Sequence, residues 1–226
     1  MTQGQKHTEA TDTLIARLAQ DAQPLRPLAH PAWRALVWAV VALAFGAAMV
    51  WAIGPRPDLA DRLVDARFML EQGAALATGL AAAAAALALT VPGASPLLRL
   101  LPVVPGVLWI STLSIGCLRD WWQFGADGLR LTPDPACFAY IALIGSLPAL
   151  VLFLMLRRGA PLAPRWTIAL AALAAAGLGN VALRFFHMQD AALMVLVWQV
   201  GSVAILAVLA GLGGRKLLPW PARPAF

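Results

Sequence analysis

The side chains best suited to chemistry in this 226-residue chain are Cys117, Cys137, His187 and Met188. A thiolate or thioether is a soft ligand and an imidazole a borderline one, and thiols also oxidise. The spacing of the four matches no known closed metal site. Three readings of the cysteines therefore stand together: small buried apolar side chains, thiols that answer oxidants, or ligands to a metal. Two cysteines make at most one bridge, which is too few for a disulfide framework. The chain has no Gly-rich phosphate loop, no His-Glu-x-x-His and no Gly-x-Ser-x-Gly. The expectation is a protein that is not an enzyme and needs no cofactor.

The elements that must position these residues follow from composition. Hydrophobic residues make up 61% and charged residues 12%, with mean hydropathy +0.75. Soluble chains carry roughly 45–50% apolar and about 25% charged residues. The surplus must face lipid, so the fold class is an all-α integral membrane protein. This excludes a soluble enzyme and a nucleic-acid-binding domain, and the net charge of +6 is better explained by topology than by direct nucleic acid binding. Crossing about 30 Å of hydrocarbon takes about 20 helical residues. Six stretches qualify: 35–54, 73–91, 100–117, 136–156, 167–183 and 191–211. None contains Asp, Glu, Lys, Arg or His. Their unbroken apolar character predicts a bundle of six transmembrane helices, because helices satisfy their own backbone in lipid. The first run follows a 34-residue polar start and is too long for a cleavable signal.

Lys and Arg in the connections set the orientation. Eleven fall on the side of the two termini and six on the other side, which predicts both termini in the cytoplasm of a bacterial inner membrane. Cys117, at the end of the third span, then lies on the outer side. So do Cys137, at the start of the fourth, and His187-Met188, between the fifth and sixth. If the membrane is a Gram-negative inner membrane, that compartment is an oxidising periplasm. The first outer loop carries Asp58, Asp61 and Asp65 among Arg56, Arg62 and Arg67, a pattern that reads as a solvated amphipathic helix start with salt bridges.

Several span details carry expectations of their own. The second span is rich in alanine, which predicts close packing inside the bundle. Pro102 and Pro105 in the third span and Pro148 in the fourth predict bends. Trp33, Trp121, Trp122, Trp166 and Trp220 fall at span ends as interfacial anchors. Asn180 and Gln199 are expected to hydrogen-bond across helices.

Residues 1–34 form an N-terminal cytoplasmic arm, 35–214 the membrane domain and 215–226 a short cytoplasmic tail. In the arm, Thr11 can cap a short amphipathic helix. Leu14, Ile15, Leu18, Ala19 and Ala22 share one face, with Arg17, Gln20 and Asp21 opposite, before Pro24, Pro27 and Pro31 end it. This stripe has three uses: docking on the protein's own loops, lying on the bilayer, or filling a partner's groove.

The stretch Cys137-Phe-Ala-Tyr-Ile-Ala-Leu-Ile-Gly-Ser-Leu-Pro148 followed by Leu156-Arg-Arg-Gly-Ala-Pro161 resembles the NrsF family, six-helix membrane anti-sigma factors named negative regulators of sigma F. Further matching pieces are Gly54-Pro-Arg-Pro-Asp58, Val91-Pro-Gly93, Gly214-Arg-Lys-Leu-Leu-Pro-Trp220 and the arm segment Leu14-Ile-Ala-Arg-Leu-Ala-Gln-Asp21. The resemblance implies that an extracytoplasmic-function sigma factor is sequestered at the membrane and released on an envelope stress signal, an oxidant or a heavy metal. It implies sigma-factor binding by Leu14, Ile15, Arg17 and Leu18. It also implies sensing by two outer cysteines. Cys137 stands at the first family position, but the second, after a histidine, is occupied by Met188. Cys117 or Met188 are the conceivable substitutes. The competing reading is a transporter or metal-handling membrane protein using Cys117, Cys137, His187 and Met188. It calls for a polar path through the bundle, and spans free of charge count against it.

Overall fold

The computed structural model describes residues 3–20 and 28–218, with side chains from Thr11 onward. Asp21, Ala22, Pro24, Pro27, Trp220 and most of the tail lie outside the described residues. The described chain is helical. Helix α1 (Gln3–Gln20) precedes six helices long and apolar enough to cross a membrane. These are α2 (Pro31–Ile53), α4 (Ala66–Ala88), α5 (Val103–Phe124), α6 (Pro135–Leu156), α7 (Pro164–Leu183) and α8 (Ala192–Leu217). A six-residue helix, α3 (Leu59–Val64), joins α2 to α4.

Helix α7 packs against α2, α4, α6 and α8 and, with α4, is the most enclosed element. Alanine and glycine explain this, because short side chains let backbones approach and gain dispersion contact. Along α4 the buried face is Ala74, Ala75, Gly79, Ala82, Ala83, Ala85 and Ala86, as expected of the alanine-rich span. Helices α6 and α7 approach closely: a methyl group on Gly179 would lie 2.6 Å from the Ile141 carbonyl oxygen. Two apolar clusters fill the bundle. One joins Trp38, Leu87, Leu152, Leu156 and Ile168, and the other Trp109, Leu113, Cys137, Ile141, Leu183 and Val203.

Several expectations are corrected. The second membrane helix begins at Ala66 rather than Gly73, because Asp65 caps it: its carboxylate accepts the Arg67 N–H at 2.9 Å. The third runs to Phe124, seven residues beyond Cys117. The long helices are therefore not free of charge. They carry Arg34, Arg67, Glu71, Arg119, Asp120, Arg165, Arg215 and Lys216, all within about two turns of a helix end. Pro102 precedes α5 and Pro105 lies in its first turn, where a missing N–H leaves no helical bond broken. Pro148 is truly internal, and the Trp38 indole N–H donates to its carbonyl at 2.9 Å. Asn180 and Gln199 are buried, but among the described residues the Gln199 carboxamide and Asn180 Oδ1 have no hydrogen-bond partner. The cross-helix bonds expected of these atoms therefore do not form. Gln199 lies in a π-helical turn, Val195–Val200, within α8. Trp33, Trp121, Trp122 and Trp166 are exposed near helix ends, where anchors belong. Thr11 lies inside α1 rather than capping it, because the helix starts at Gln3.

Candidate functional site

At one end of the bundle the N-terminus of α6 meets the loop between α7 and α8. Asp134 precedes α6, and Cys137 lies one turn later on its buried face. His187 reaches them from the loop. The Cys137 thiol donates to Asp134 Oδ2 at 3.1 Å, His187 Nε2 lies 2.8 Å from the same oxygen, and Sγ and Nε2 are 3.4 Å apart. The ligand atoms of these three residues all fall within 4.8 Å of one another. Burial pushes the Asp134 carboxyl up, but the hydrogen bonds from His187 and Cys137 outweigh it and hold its pKa below the usual value. The arrangement pairs one soft, one borderline and one hard donor, with the imidazole and carboxylate partly open to the outside.

Each side chain is held by its surroundings. The Trp198 indole N–H donates to the Thr132 carbonyl at 2.9 Å, fixing the approach to Asp134. Tyr140 and Phe186 meet edge to face at 5.2 Å beside His187, and Phe68 meets Phe185 the same way at 6.3 Å. The His187 loop is clamped by arginines. Arg56 N–H donates to the Phe185 carbonyl at 2.9 Å, and its guanidinium takes Asp190 and Asp58 in two-pronged pairs, at 2.5 and 3.0 Å and at 2.6 and 2.9 Å. Arg184 donates to the Gln189 carbonyl at 2.7 Å and pairs with Glu71 at 3.2 Å and with Asp190 at 3.3 Å. Arg67 closes the network on Glu71 at 2.8 Å. The bonds to Asp190 and Asp58 raise the Arg56 pKa above its ordinary value. The Arg56 bond holds Asp58 down to about 2. Burial lowers that of Arg184.

Cys137 and His187, expected on one face, are thus brought together. Cys117 is not part of the cluster. It is half-buried on α5, and both cysteines are free. Met188 follows His187 but points to solvent, 66% exposed. Arg56 is also corrected: it is buried rather than solvated, while the helix start and salt bridges expected of this loop are present in α3 and in the pairs of Arg62 with Asp58 and Asp65. On α1, Leu14, Ile15 and Leu18 are 57–63% exposed and Arg17 is exposed.

Asp134 escaped the sequence reading. Its signal was there, a carboxylate three residues before Cys137 at a helix start, which is one turn. Glu71 and Arg184 were hidden because spans read from apolar runs stop short of charged turns.

A family model, negative regulator of sigma F, matches residues 18–220. The chain belongs to the NrsF family. No curated protein and no solved structure matches it. As an NrsF protein it is a negative regulator of a sigma factor, and its six apolar helices are compatible with a multi-pass membrane protein. The match includes the clustered residues at the His187 end, whereas on the arm it begins at Leu18, after Leu14, Ile15 and Arg17.

Proposed function

We propose that this NrsF protein is an inner-membrane anti-sigma factor with both termini in the cytoplasm. It holds an extracytoplasmic-function sigma factor through the arm and releases it when an envelope stress signal reaches the periplasmic Asp134–Cys137–His187 cluster. The observation that carries the reading is the uncovered stripe on α1. Leu14, Ile15 and Leu18 are among the exposed large apolar residues, although α1 is outside the six apolar helices. The bundle does not cover that face, which argues against docking on the protein's own loops. An apolar stripe with one cation, Arg17, suits a partner groove better than an anionic bilayer. The family's description supplies a sigma factor as that partner.

Release requires that the signal favour one bundle arrangement over another, with coupling on the scale of about 1–3 kcal/mol. The two ends are physically joined by α2. Its far end continues into the Gly54–Asp58 turn, where Arg56 grips the His187 loop. At its near end the Arg34 guanidinium donates to Thr90 Oγ1 at 3.1 Å and to the Met155 carbonyl at 2.6 Å.

The test is a triple substitution, Leu14→Ser, Ile15→Ser and Leu18→Ser, with sigma retention measured by co-purification from detergent. Loss of sigma with an unchanged melting temperature is the expected result, because the side chains are exposed. Full retention refutes the arm as the docking element.

A further inference from the structure

From the geometry we infer that Asp134, Cys137 and His187 form a three-ligand site for a borderline divalent cation of the zinc type. The inference rests on the reading of this cluster as the signal-receiving face, and it chooses between the two signals left open there. Oxidation of a thiol needs thiolate character and, for a disulfide, a second thiol within reach. Neither condition is met. The Cys137 thiol is buried and donates its proton to Asp134, and Cys117 is outside the cluster.

A cation finds what it needs. A tetrahedral zinc-type centre with bonds of about 2.0–2.3 Å sets its donor atoms roughly 3.3–3.8 Å apart. The three separations here are 2.8, 3.1 and 3.4 Å, so the donors need spread by only a few tenths of an ångström to about one ångström. The set is one thiolate, one imidazole and one carboxylate, which favours zinc, cobalt or cadmium over magnesium or calcium. Three protein ligands leave a fourth position for water.

The exchange balances simply. The thiol proton leaves to solvent as the S–metal bond forms. The neutral imidazole, whose Nε2 proton faces Asp134, gives that proton to solvent and takes one up at Nδ1, and this change of tautomer frees the Nε2 lone pair for the ion. No electron is transferred. Because the ion replaces the hydrogen bonds between α6 and the His187 loop with metal bonds, occupancy alters the join between that loop and α6. The imidazole and carboxylate, 23% and 13% exposed, give the ion its route in from outside.

The test is cobalt(II) titration of the full chain purified in detergent, without sigma factor. The wild type is expected to show a near-ultraviolet sulfur-to-cobalt charge-transfer band with tetrahedral visible bands, and zinc is expected to displace the cobalt. Cys137→Ser removes the charge-transfer band. His187→Gln and Asp134→Asn, at partly exposed positions that keep the bundle packed, weaken binding at least tenfold. Cys117→Ser leaves it unchanged. Absence of the band in the wild type, or its loss in Cys117→Ser and not in Cys137→Ser, overturns the site. The readout does not involve sigma, so metal binding and sigma retention fail or survive separately.

Discussion

Replacing Arg56 with methionine tests whether the His187 loop is held by a buried guanidinium. The Arg56 side chain is 1% exposed and makes two-pronged contacts to Asp58 and Asp190. Removing one partner of a buried pair costs roughly 3–5 kcal/mol, because it strands the other charge. Here the stranded carboxylates are not fully buried: Asp58 is 37% and Asp190 23% exposed. Arg62 also remains, at 3.2 Å from Asp58 and 2.9 Å from Asp190. Rehydration and this second cation lower the expected cost to about 2–3 kcal/mol. By the scaling of soluble domains of similar length, that is a fall of about 5–10 °C in melting temperature. The control is Arg62→Met. Its side chain is 34% exposed, so its pairs are worth about 1 kcal/mol or less. The assay is thermal unfolding in detergent, combined with alkylation of Cys137 in a Cys117→Ser background. Arg56→Met should speed alkylation, because the loop that covers the thiol is released. A melting temperature within 2 °C of wild type with unchanged alkylation refutes the argument. So does an Arg62→Met variant that falls as far as Arg56→Met.

Two further outcomes follow from the same structure. Gly179→Ala drives a methyl group against the Ile141 carbonyl and the Gly145 N–H, 2.6 and 3.2 Å away, and should cost about 1–3 kcal/mol by the same unfolding assay. A variant as stable as wild type would mean that α6 and α7 are not so closely joined. Acid should loosen the Arg56 network. Asp58 has its pKa lowered from 3.8 to about 2 by the Arg56 bond, so its contribution is present above the unfolded value and lost as pH falls from about 4 through 2. Asp190 acts in the same direction: burial pushes its pKa up, but the Arg56 bond and the Arg184 charge outweigh that. Melting temperature should therefore drop between pH 5 and pH 2.5, and drop less steeply in Arg56→Met. Equal slopes in the two proteins would contradict the assignment.

What the residues alone determined is what depends on solvent. Six apolar runs of spanning length must be helices because lipid offers no hydrogen bonds to a bare backbone. The alanine content of the second span marked it as interior, and α4 is enclosed, whereas the similar enclosure of α7 was not read from its residues. The 136–156 span was legible almost to the residue, because Pro135 starts it and Arg157 follows it. Cys137 and His187 were legible as neighbours on one face, since helix ends on the same side of a bilayer share a plane. Tertiary structure decided the rest. Asp134 joins the site through the meeting of α6 with a loop 53 residues away in sequence, a contact that no local pattern encodes. Arg56, Glu71 and Arg184 look like ordinary flanking charges until packing removes their water and sets Arg56 against Asp58 and Asp190, and Arg184 against Glu71 and Asp190. Burial is a property of the assembled bundle, so which charges become a solvated rim and which become a clamp is set only when the helices have met.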